Sequence, residues 1–196
     1  MSRSPSPRGP GHGTALIIVD MMNLFDFEGG RALADQAEAI SRNILRLRDH
    51  FDAAALPVVY VNDNFMRWKA DFREITAICM QDGMPGCNSA VRLAPAPGHY
   101  HVLKPKHSGF LATPLDILLR KLEVSRLVIT GVAADSCVLA TAHDAKMREY
   151  ALWVPCDCVA SETPDRKQHA LSLMKTSLGA ETRSIRSRSR QWSLDA

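Results

Sequence analysis

Three apolar runs of this chain lead into three side chains of different chemistry. ALIIVD ends on Asp20, HVLK ends on Lys104 and opens the segment KPKHSGF (104–110), and VITGV is followed by AADSCV, which carries Cys137. A carboxylate, an ammonium and a thiol at the ends of strand-like runs lie where an open parallel sheet gathers its reacting groups, outside the carboxyl ends of its strands. Together they suit nucleophilic hydrolysis. The thiol attacks, the carboxylate moves its proton, and the ammonium holds both.

Each residue also has a plainer reading. Cys137 falls two residues into a predicted helix that follows directly on a strand, so backbone N–H groups and the helix dipole are expected to favour its thiolate. Lowering a thiol from about 8.5 by about two units takes about 2.7 kcal/mol, which a helix terminus and one ammonium can supply. The alternative is a small apolar core residue. Asp20 either shuttles a proton from a partly buried strand end or caps the next turn. Lys104 is either a surface lysine or the charge that keeps Asp20 ionised; Pro105 stiffens the backbone after it and favours the second.

The elements that would position these groups alternate. ALIIVD, LPVVYVND, HYHVLK, SRLVITGV and ALWVPCD read as strands, with a last short one at 181–185. Helical patterns cover 32–55, 114–122, 135–149 and 164–178. Such alternation predicts a single α/β domain of three α/β/α layers with a mostly parallel, Rossmann-like central sheet. Thr113–Pro114 and Thr163–Pro164 read as N-caps followed by proline at the first helical position, and Asp135 as the cap of the helix carrying Cys137. The turn-rich stretch 64–98 reads as a loop excursion beside the site. No internal repeat and no Gly-x-Gly-x-x-Gly fingerprint is present, so a dinucleotide cofactor has no support.

The 196 residues suffice for one sizeable core, and 46% apolar with 23% charged residues is ordinary globular composition. Residues 1–13 read as a flexible leader, 14–185 as the domain and 186–196 as a basic tail. The net charge of +3 is small, and the arginines of TRSIRSRSRQ read as a solvated end rather than a nucleic-acid site. No signal-like or membrane-spanning run is present, and five cysteines without a signal argue for free thiols in a cytoplasmic protein.

These motifs, Asp20 at a strand end, Lys-Pro-x-x-Ser-x-Phe from Lys104 and Gly-Val-x-x-x-x-Cys-Val from Gly131, resemble the isochorismatase-like cysteine hydrolase superfamily, from about Thr14 to Leu178. The resemblance implies that Asp20, Lys104 and Cys137 form a catalytic triad. It also implies a cis peptide between Val132 and Ala133, and an oxyanion hole made by the Ala133 and Cys137 N–H groups. The implied reaction is cleavage of an amide, ureide or carbamoyl C–N bond of a small molecule through a thioester. Vinyl-ether hydrolysis of the isochorismatase type and a catalytically silent binding module remain alternatives. Nicotinamidases of the superfamily bind metal through an Asp-x-His pair in the segment that here reads VNDNFMRW, which offers Asp63 but no histidine, so neither metal nor other cofactor is expected. DMMNLF departs from the common Asp-x-Gln-Asn-Asp-Phe, with Met22 for glutamine and Leu24 for the second acid, making the pocket more apolar. Phe25, Asn64, Trp68 and Phe110 are candidate pocket residues beside Phe65, each aromatic being alternatively core. Arg67 either reads an anionic substrate group or is solvated, and Cys156–x–Cys158 either packs or binds metal. The partner expected is a small-molecule substrate, with no nucleic acid or membrane, in a homo-oligomer.

Overall fold

The computed structural model describes residues 13–65, 68–187 and 192. Strand β1 (Thr14–Val19) is followed by helix α1 (Gly30–Ala53), β2 (Val58–Asp63), α2 (Phe72–Cys79), α3 (Cys87–Arg92) and β3 (Tyr100–Lys104). Then come α4 (Leu115–Lys121), β4 (Arg126–Val132), a π-helical turn (Ala134–Val138), α5 (Leu139–Met147), β5 (Ala151–Trp153), β6 (Val159–Ala160) and α6 (Pro164–Leu178). The sheet runs β3-β2-β1-β4-β5 with β6 on β4, and every pairing is parallel.

Two-residue periodicity divides the sheet into two cores. Leu16 and Ile18 of β1, Val58 and Tyr60 of β2 and Val128 of β4 face one side, where Leu33, Ala37, Ile40, Ile44, Leu47 and Phe51 of α1 cover them at alternating spacings of three and four. Ala15, Ile17 and Val19, with Val59, Val61, Leu127 and Ile129, face the other, against Leu115 and Leu119 of α4, Ala142 and Ala145 of α5 and Met174 of α6. Strands apolar on both faces must be covered twice, which gives the three α/β/α layers.

Local chemistry sets several boundaries. Thr163 caps α6, its Oγ1 accepting from the Arg166 N–H at 3.3 Å, with Pro164 at the first helical position and Gly179 closing the helix at φ 65°. Thr163→Ala should cost about 1 kcal/mol, read as a lower urea midpoint at unchanged slope; no shift would mean the cap is replaced by water. Gly131 has φ 108°, and a Cβ there would stand 2.0 Å from the Val19 carbonyl oxygen. Only glycine lets β1 and β4 approach so closely at the site.

Several elements differ from the sequence expectation. The stretch 64–98 holds two helices, α2 and α3. Asp71 caps α2 by accepting from the Arg73 and Glu74 N–H groups, while Glu74 accepts from the Asp71 N–H at 2.9 Å, a capping box written plainly as Asp-x-x-Glu. α4 starts at Leu115, one residue late, with Thr113 Oγ1 accepting from the Leu115 N–H at 3.2 Å. Asp135 caps nothing, because it lies inside the π-helical turn. The strand at 151–157 ends at Trp153, so Cys156 and Cys158 lie in the turn before β6 as free thiols. Residues 181–185 form no strand: Glu181 makes an isolated bridge to Trp153, and Ile185 opens a 3-10 turn, Ile185–Ser187. Leader residues 1–12 lie outside the described residues, and the Gly13 carbonyl accepts from the Ser125 and Arg126 N–H groups at 2.7 and 2.8 Å. Of the tail, 188–191 and 193–196 lie outside the described residues. Trp192, just past TRSIRSRSRQ, is buried, 5.8 Å from the Trp153 ring.

Candidate active site

The strand order reverses between β1 and β4: β2 and β3 extend to one side of β1, β4 and β5 to the other. The crevice this leaves at the carboxyl ends is where ligands bind in open α/β sheets. Asp20 follows β1, Asp63 and Lys104 are paired last residues of β2 and β3, and Cys137 follows β4, so parallel register brings all four to one edge.

Lys104 is fully buried. Its Nζ lies 2.9 Å from Asp20 Oδ2 and 3.6 Å from Asp63 Oδ2, and donates to Cys137 Sγ at 3.4 Å. Asp20 has a left-handed backbone, φ 50°, which aspartate tolerates better than most residues. Its Oδ1 accepts from the Asp63 N–H at 2.6 Å. The peptide between Val132 and Ala133 is cis. Cys137 is the fourth residue of the π-helical turn, whose signature is the Val138 N–H donating to the Ala133 carbonyl at 3.1 Å, five residues back. Thr141 Oγ1 donates to the Cys137 carbonyl at 2.7 Å and accepts from the Gly109 N–H at 3.0 Å, joining the nucleophile's turn to the loop after Lys104.

The electrostatics correct one expectation. Burial pushes the Cys137 thiol up to about 12, and the Asp20 charge adds to this against the pull of Lys104. Burial first, and the neighbouring Asp20 charge second, thus disfavour a pre-formed thiolate, contrary to the sequence expectation. Burial also raises the Asp20 carboxyl, against the Lys104 charge and its hydrogen bonds. Burial alone would lower Lys104, but the Asp20 charge, with its hydrogen bond and the Asp63 charge, outweighs it and holds it raised. Iodoacetamide alkylation of Cys137, followed by peptide mapping, should accordingly climb about tenfold per pH unit from pH 7 to 9 without levelling; a plateau below pH 7 would restore the depressed thiolate.

Above this floor opens a pocket of about 340 Å³, lined at its base by Asp20, Cys137 and the Val132–Ala133 peptide. Phe27, Leu33 and Phe65 form apolar wall, and Asn23, Asp26, Asp63, His107, Ser136, Glu162 and Arg166 complete the lining. Of the candidates drawn from sequence, Asp20, Lys104, Cys137, Val132 and Ala133 come together, while the proposed specificity residues largely do not. Phe25 is core, turned inward at φ 54°, and the half-exposed Phe27 two residues on lines the pocket instead. Phe110 is buried against Tyr150 under the Arg148 guanidinium. Asn64 Oδ1 accepts from the Trp68 N–H at 2.9 Å, and neither lines the pocket; Trp68 projects outward, 62% exposed. Arg67 lies outside the described residues.

Sequence reasoning passed over His107, whose Nδ1 lies 3.6 Å from Cys137 Sγ and 3.3 Å from Ser136 Oγ. Its place in KPKHSGF, three residues past Lys104, was the available signal. It also passed over Arg166, which reaches the pocket from α6 and is held by Asp135 at 2.6 Å and by Glu162. Asp135, which also accepts from Ser161 Oγ at 2.6 Å, is thus a strut for Arg166. No signal near the motifs points to α6. Among the described residues, no group of three or more His, Cys, Asp or Glu side chains could hold a metal ion. Asp63, the candidate ligand, faces the Lys104 ammonium instead.

Comparison with known proteins follows the geometry. The isochorismatase domain family matches residues 14–187. The isochorismatase family protein YaaI of Bacillus subtilis is 41% identical over 167 residues, 85% of this chain and 91% of that protein. The ureidoacrylate amidohydrolase RutB of Methylorubrum extorquens is 30% identical over 199 residues, 85% of this chain and 77% of its own length. The crystal structure of N-carbamoylsarcosine amidase from Thermoplasma acidophilum is similar with a TM-score of 0.68 and 29% identity, covering 91% of this chain and 99% of that one.

Proposed function

The chain belongs to the isochorismatase family, and from that premise we propose that it is a metal-independent cysteine hydrolase cleaving the C–N bond of a small amide, ureide or carbamoyl compound. The observation that carries this reading is the buried Lys104 ammonium, within 2.9 Å of Asp20 and 3.4 Å of Cys137 Sγ at the base of an open pocket. Relatives named amidohydrolase and amidase support the bond type.

Asp20 takes the Cys137 proton as Sγ attacks the substrate carbonyl carbon, so charge on sulfur develops only as the bond forms. The Ala133 and Cys137 N–H groups receive the oxyanion. Collapse breaks the C–N bond, the nitrogen leaves with the proton from Asp20, and a thioester on Cys137 remains for water. Lys104 holds Asp20 in place and compensates the negative charge that passes between carboxylate and sulfur. Vinyl-ether hydrolysis needs an acid and water but no thiol, and the thiol facing the pocket favours amide chemistry. A silent binding module has no use for a buried Asp20–Lys104 ion pair set against a half-buried thiol.

Ammonia release from a panel of small amides, ureides and carbamoyl compounds, run in the presence of a strong chelator, tests the reading. At least one compound should turn over, and quenched enzyme should carry its acyl group on Cys137 by intact mass. Turnover that requires added zinc or iron, or a quenched enzyme that never carries an acyl group, would overturn it.

A further inference from the structure

The pocket holds a second base that the first half of this reaction does not use. Cys137 Sγ is approached from below by Lys104 and Asp20, both buried, while the His107 ring is exposed and lies 3.6 Å from the sulfur on the solvent side. Both Asp20 oxygens are already engaged, Oδ1 by the Asp63 N–H and Oδ2 by Lys104. The Nδ1 of His107 meets only Sγ and the Ser136 hydroxyl among the described contacts. Once the leaving amine departs, water enters from the mouth, which is where His107 stands.

We propose that His107 is the general base of deacylation, an inference that rests on the thioester reading above. His107 takes a proton from water as the water oxygen bonds to the thioester carbonyl carbon. The tetrahedral intermediate collapses with cleavage of the C–S bond, and the imidazolium returns its proton to the departing sulfur. Water and thioester become carboxylic acid and thiol, and His107 ends neutral as it began. The two half-reactions thus use two bases, Asp20 from beneath and His107 from above. An imidazole within hydrogen-bond reach of the entering water is a suitable general base for it. The titratable and charged groups around it are Lys104 and Lys106 on its own segment, the Cys137 thiol on the facing turn, and Asp20, Asp26, Asp63, Glu162 and Arg166 around the pocket.

p-Nitrophenyl acetate tests this without the natural substrate. Stopped-flow should show a burst of p-nitrophenolate equal to the enzyme concentration, then a slower steady rate, with the acetyl group mapped to Cys137. His107→Gln should keep the burst and lose about a hundredfold in the steady rate. Hydroxylamine, which attacks a thioester without a base, should restore its turnover. A variant with normal burst and unchanged steady rate overturns the inference alone. A variant slowed in burst and steady rate alike, and not rescued, makes His107 merely structural and overturns it too. A parent that never acetylates on Cys137 overturns the thioester reading and this inference together.

Discussion

Cys137→Ser is expected to leave the protein folded and to remove turnover, with kcat down by about a thousandfold or more. The exchange of sulfur for oxygen changes little volume, and the half-buried site has hydrogen-bonding neighbours in Lys104 and Ser136 that a hydroxyl can use. The melting temperature should therefore stay close to the parent's. The chemistry cannot survive in the same way. The sulfur attacks from its protonated form, with Asp20 removing the proton during attack, and a hydroxyl is a far weaker acid than a thiol. Activity within tenfold of the parent on the same amide would end the proposal that Cys137 is the nucleophile.

Lys104→Met should damage both stability and activity. Its ammonium is the cation between Asp20 and Asp63, and at 0% exposure its loss leaves Asp20 buried without a counter-charge. Breaking one side of a buried pair costs about 3–5 kcal/mol, so at pH 7 the urea midpoint should fall sharply. The sign of the pH dependence identifies the source. Burial already raises the Asp20 carboxyl, and removing Lys104 raises it further. A carboxyl raised in the folded state above its unfolded value destabilises at high pH, and that penalty disappears as pH falls through the folded value. The deficit of Lys104→Met should thus shrink on acidification, and Lys104→Met with Asp20→Asn should recover stability at pH 7 without recovering activity. A deficit constant with pH would assign the loss to packing of the lysine stem rather than to charge.

What could be read from sequence depended on how local the causes were. Asp20, Lys104 and Cys137 were legible because each follows an apolar run, and parallel strands align the ends of such runs automatically. The layers were legible for the same reason: β1 and β4 are apolar on both faces, which only double coverage explains. The ionisation of Cys137 was not, because it depends on Asp20 lying across the crevice from it, which no local pattern contains. The pocket walls failed similarly. Phe25 and Phe27 are near neighbours of one type, and only the left-handed backbone at Phe25 decides that it turns into the core while Phe27 faces the pocket. Arg166 comes from α6, which reaches the site through topology. The helix α2 is a different case, since its capping box was in the sequence and the turn-rich composition around it masked the signal.

The π-helical turn has a consequence in genetic terms. With the Val138 N–H reaching back five residues to Ala133, the segment is an α-helix carrying one residue in excess. Deleting a single codon between Ala133 and Cys137 would restore ordinary spacing and turn α5 as a body relative to β4. The helix would lose one step of roughly 100°, enough to carry the thiol away from Lys104. Loss and gain of the nucleophile are thus separated by one in-frame codon, a far shorter mutational path than building the site residue by residue.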